Sequence, residues 1–61
     1  MDTLRDKFPA SAGWLHVRLT RKHGPSFDRA QLAADYTREP GSEIGHLSVS
    51  GRRALVIYRT R

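Results

Sequence analysis

Trp14, His16 and Arg18 stand at alternate positions in the segment Trp14-Leu15-His16-Val17-Arg18-Leu19-Thr20. An extended chain turns alternate side chains to the same side, so a ring, an imidazole and a guanidinium would form a row. Arg presents a planar fork of donors that suits phosphates and base edges, and it stacks on rings. An aromatic face can stack an unpaired base, worth about 1–3 kcal/mol per base. Arg21 and Lys22 continue the basic character at the end of this segment, and His46, Arg52, Arg53 and Tyr58 repeat the same chemistry further on. These nine residues form a candidate nucleic-acid-binding set, with Arg and Lys holding phosphates while Trp14 and Tyr58 stack bases.

Catalytic arrangements are weaker. Ser26, His23 and Asp28 are close in sequence, but a triad is defined by geometry rather than proximity, and Ser26 is better explained as a helix N-cap. Asp35 and Glu39 lie four apart, a spacing that suits a solvated helix face with Arg38 alongside. His16 and His46 are two ligands at most, which do not define a metal site. Cysteine is absent, which excludes thiol catalysis and Cys-based zinc sites. No phosphate-cradling Gly loop occurs. The expectation is a protein that is not an enzyme and takes no cofactor or metal.

The elements that must position these residues follow from patterning. Residues 1–13 read as a partly ordered N-terminal arm in which Leu4 and Phe8 can pack onto the domain. Residues 14–61 read as a single small domain. Trp14–Arg21 has the period of a strand, with Leu15, Val17 and Leu19 toward the core. Gly24-Pro25 breaks it, and Ser26 and Asp28 open a helix that runs to about Arg38. Leu32 and Tyr36 share a helix face with Ala33, whereas Phe27 lies nearly opposite. Glu39-Pro40-Gly41-Ser42 stops the helix. Ile44–Val49 and Ala54–Tyr58 then form a hairpin around Ser50-Gly51-Arg52-Arg53. Leu55 and Ile57 face one way and Val56 and Tyr58 the other, with Tyr58 joining Trp14, His16, Arg18, His46 and Ser48 on the sheet face away from the helix.

The strand-helix-strand-strand order predicts an α+β fold: a three-stranded antiparallel sheet with one packed helix, the first part of a split β-α-β unit. Such a sheet leaves a bare face, which invites a partner or a second copy, so a homodimer is a further expectation. With 61 residues the core is thin, and a deep substrate pocket is hard to enclose. Eleven basic residues against six acidic ones give a net charge of +5, and nine of those eleven are Arg, Lys7 and Lys22 being the exceptions. A strongly basic balance marks nucleic-acid binders. The lack of cysteine, of an apolar leader and of any apolar run of about 18–20 residues points to a cytoplasmic protein away from membranes.

The stretch Ile44-Gly45-His46-Leu47-Ser48-Val49, followed by Ala54-Leu55-Val56-Ile57-Tyr58, resembles the C-terminal RNA-binding domain of DbpA-type DEAD-box helicases. That family has a helix rich in small residues, then Ile-Gly-x-Ile-x-Ile, a short turn and a strand of the Ser-x-Val-x-Val kind. Leu32-Ala33-Ala34-Asp35-Tyr36-Thr37-Arg38-Glu39 is similar to its helix, so the likeness spans about residues 14–60. It implies an RRM-like fold that recognises structured RNA. Ala54 stands where the family often has Ser, and the family's final helix and strand have no counterpart here. A second likeness, of Val49–Tyr58 in its Gly, Arg and Tyr residues, is to the last strands of RelE-type toxins. That resemblance implies cleavage of ribosome-bound mRNA, with Arg52, Arg53 and Tyr58 as site residues.

The functional expectation is a small basic nucleic-acid-binding protein, with RNA ahead of DNA. The alternative is a small phage- or plasmid-type regulator that binds and inhibits a host protein, and a further alternative is a RelE-like mRNA-cleaving toxin.

Overall fold

A computed structural model describes residues 3–60. The elements in order are a short helix α1 (Thr3–Lys7), a single 3-10 turn (Ala10–Ala12), strand β1 (Leu15–Thr20), helix α2 (Arg29–Tyr36), strand β2 (Glu43–Ser50) and strand β3 (Arg53–Arg59). The fold is the small α+β arrangement expected: one three-stranded sheet, ordered β1-β3-β2, with α2 packed on it. Both neighbouring pairs are antiparallel, so β1 and β2 run parallel with β3 inserted between them. This is the split β-α-β connection.

The run Ala54-Leu55-Val56-Ile57-Tyr58 lacks the polar alternation of a half-exposed strand because β3 is central, with α2 on one side and the arm over Ile57 on the other. Val56 and Ile57 point to opposite faces and are both fully buried. Directly opposed residues share a face. Val56 lies between Val17 and Leu47, Tyr58 between Leu15 and Ile44, and Ala54 between Leu19 and Val49. These residues form the side on which α2 lies. Leu32 of α2 is buried, and the Tyr36 ring meets the Tyr58 ring with centroids 4.9 Å apart.

Tyr58 therefore faces α2, not the opposite face expected for it. In this phase of β3 the Tyr36 ring of α2 takes Tyr58 as its packing partner, and Leu55 and Ile57 fall to the other side, Ile57 beneath the arm.

The helix is shorter than its pattern suggests. Its N-cap is Asp28, not Ser26. The Asp28 side chain accepts from the backbone N–H of Ala30 at 2.9 Å and of Gln31 at 3.4 Å. The preceding residues are held away from helical geometry by the hairpin, since the Phe27 N–H donates to the Gly51 carbonyl at 2.9 Å. Phe27 thus precedes the helix, which removes the apparent flaw in its amphipathic pattern. At the other end the Thr37 hydroxyl donates to the Ala33 carbonyl at 2.6 Å, a side-chain bond that competes with continued helix.

The segment before β1 packs on the face away from α2. Phe8 and Trp14 meet edge to face with centroids 4.9 Å apart. A register shift between Ile44 and His46 makes a bulge at Gly45, and both rings sit against that glycine.

Candidate nucleic-acid interface

The face away from α2 is built in cross-strand rows. His16, Ile57 and His46 form one; Arg18, Leu55 and Ser48 the next; Thr20, Arg53 and Ser50 the last. The arm closes the first row. His16 is exposed, and its Nε2 lies 2.8 Å from the Phe8 carbonyl oxygen, which accepts from the ring when the hydrogen sits on Nε2. His46 is half-buried beside the fully buried Ile57. Trp14 is half-buried, with the Phe8 ring set edge to face against it and the Arg59 guanidinium 4.3 Å from its ring centroid. Arg59 in turn pairs with Glu43. Trp14 is thus engaged on two sides by the protein itself.

The other two rows remain open. Arg18, Thr20, Ser48, Ser50, Arg53 and Leu55 line one shallow groove across all three strands. Its floor is Leu55, its flanks carry three hydroxyls, and its charges are two exposed guanidiniums. Neither Arg18 nor Arg53 has an ion-pair partner among the described residues. Leu55 opposes Arg18 while Arg53 opposes Thr20, so the two Arg are diagonal neighbours, about 7–8 Å apart across the strands and somewhat less between Cβ atoms. Two guanidiniums at that separation can each hold one of two nearby phosphates, and the hydroxyls can donate to phosphate or sugar oxygens. A second groove, lined by Leu4, Arg5, His16, Arg18 and Leu55, continues the basic surface toward the arm.

Arg21 and Arg52 do structural work. The Arg21 guanidinium donates to the Pro25 carbonyl at 3.1 Å and lies 4.2 Å from the centroid of the Phe27 ring. Arg52 donates to the Lys22 carbonyl at 2.9 Å, and the Arg21 N–H donates to the Arg52 carbonyl at 2.9 Å. These bonds tie the loop after β1 to the β2–β3 turn. Lys22 is exposed in that loop. Tyr58 is half-buried against Tyr36 on the other side of the sheet. The structure therefore unites Arg18 and Arg53, sets Arg21, Lys22 and Arg52 at the sheet end, places Trp14, His16 and His46 under or beside the arm, and removes Tyr58 to the opposite face.

The sequence alone does not single out Thr20 and Ser50, although they flank Arg53. Their signal is the register itself, which alternation within one strand does not reveal.

Among the described residues no group of three or more His, Asp or Glu side chains converges as a metal site. Among them, too, no helix is long and apolar enough to cross a membrane. Comparison with protein-family models, curated proteins and solved structures finds no match.

Proposed function

We propose that this chain is a small nucleic-acid-binding protein that holds a single strand, RNA before DNA, in the groove of Arg18 and Arg53. The observation that supports it most is this pair: two exposed guanidiniums without an ion-pair partner among the described residues, on an open sheet face edged by Thr20, Ser48 and Ser50. The net charge of +5 adds long-range attraction for a polyanion. The mechanism is electrostatic capture. Stacking on Trp14 or Tyr58 is not part of it, because both rings are packed against the protein's own Phe8, Arg59 and Tyr36. The RRM-like resemblance supports the same choice of partner, and a cytoplasmic site of action goes with it.

The test is fluorescence anisotropy with a labelled single-stranded RNA of mixed sequence at two or more salt concentrations. The expected result is a log-affinity that falls with log salt by about 0.7 per neutralised phosphate. Arg18→Ala and Arg53→Ala each weaken binding. Absence of binding at low salt overturns the proposal and leaves the inhibitory regulator, which a salt-insensitive protein contact would identify.

A further inference from the structure

We infer that β1 is the seam of a symmetric homodimer, a second copy pairing its own β1 antiparallel along the free edge. The first support is an imbalance on the side of the sheet that carries α2. The helix packs chiefly on β2, leaving the stripe Leu15, Val17 and Leu19 thinly covered. Leu15 is 50% exposed, an outlier among large apolar side chains of the described residues.

The second support is the contrast between the two sheet edges. β2 carries the Gly45 bulge, a device that blunts an edge against further pairing. β1 pairs with β3 through six residues, Leu15–Thr20, without a register shift, and it contains neither Pro nor Lys. Its one charged residue is Arg18, and its regular backbone makes it the edge better able to accept another strand.

The third support is area. The chain exposes 4766 Å², whereas a folded monomer of 6.9 kDa exposes about 4,000 Å². The excess of roughly 800 Å² is similar in size to the share that each partner buries in a standard-sized interface.

The occupant is a second copy because the strand is complementary to itself. About a two-fold axis at Val17, Leu15 opposes Leu19 of the other copy and Val17 opposes Val17, which closes the apolar stripe. On the other face Arg18 opposes His16, so no two guanidiniums are directly opposed. The seam does not depend on RNA binding. On the RNA-binding reading, however, it sets two Arg18–Arg53 grooves on one continuous face. The net charge of +5 per chain opposes association, so salt screens the repulsion and strengthens the dimer. Salt has the opposite effect on RNA affinity, which separates the two proposals.

Sedimentation equilibrium of the full chain without RNA, from micromolar to sub-millimolar concentration and at low and high salt, tests the seam. The expected mass is that of two chains, with tighter association at high salt. Leu15→Glu should raise the dimer dissociation constant at least about tenfold, while Leu55→Gln on the other face leaves it unchanged. Circular dichroism confirms the fold of each variant, and Leu15→Ser replaces Leu15→Glu if the charge unfolds the chain. A mass of one chain at every concentration overturns the inference, as does a dimer indifferent to a folded Leu15 variant. Arg53→Ala keeps the dimer while losing RNA affinity, so failure of either proposal shows in its own measurement.

Discussion

Gly45 lies so close beneath Phe8 that a Cβ at this position would stand 2.5 Å from the ring's Cε1, and 2.9 Å from Cζ3 of Trp14. The glycine is needed here for space, since only a residue without a side chain lets the bulge of β2 approach both rings. Gly45→Ala is therefore expected to destabilise the protein by about 1–3 kcal/mol as the rings are forced aside. Thermal melting should show a fall of about 4–8 °C per kcal/mol for a chain of this size. Phe8→Ala removes the nearer ring, so the penalty of Gly45→Ala should shrink in the Phe8→Ala background. Equal penalties in the two backgrounds would mean that the arm does not pack as described.

The second expectation concerns the start of α2. Asp28 accepts two backbone N–H groups, whereas Ser26 has no capping contact. Asp28→Ala should cost about 1 kcal/mol, and Ser26→Ala should stay within about 0.5 kcal/mol, as for ordinary surface changes. Chemical denaturation of the two variants distinguishes them, and a larger effect at Ser26 would place the cap there.

How far the sequence alone reaches is clear from these residues. Alternation in Trp14–Thr20 and the apolar run Ala54–Tyr58 disclose strands, and Pro25 and Pro40-Gly41 bracket the helix. The hairpin follows from Gly51. Local pattern does not disclose the phase of β3, because Leu55, Val56, Ile57 and Tyr58 are apolar or aromatic on both faces. That phase depends on α2 and on an arm whose packing is a long-range event. It decides that Tyr58 meets Tyr36 and that Ile57 lies beneath the opposite surface. The same choice dismantles the stacking platform expected from Trp14 and Tyr58 and leaves the electrostatic groove, whose flanks at Thr20 and Ser50 emerge from register.

Arg52 and Arg53 are adjacent in sequence and should behave differently. Arg52 donates to the Lys22 carbonyl, so Arg52→Ala should lower stability by about 0.5–1.5 kcal/mol with a small effect on RNA binding. Arg53 faces the groove, so Arg53→Ala should leave melting nearly unchanged and weaken RNA binding. It should also reduce the salt slope by about 0.7, the contribution of one phosphate on a single strand. Paired melting and anisotropy measurements read both effects, and a reversed assignment would contradict the groove.

Tyr58 separates nucleic-acid capture from the toxin alternative. A RelE-like site would use its hydroxyl, so Tyr58→Phe would abolish growth arrest on expression. The structure puts the ring against Tyr36 on the side away from Arg18 and Arg53. Tyr58→Phe should therefore leave RNA affinity and its salt slope unchanged. Tyr58→Ala should instead destabilise the fold by about 2 kcal/mol through loss of the ring pair and its packing, with RNA affinity preserved in the folded fraction. Anisotropy titrations of both variants, beside a growth assay of wild type and Tyr58→Phe, decide between the roles. Arrest by the wild type that disappears with the phenylalanine variant would transfer the functional centre from the Arg18–Arg53 groove to the helix side of the sheet.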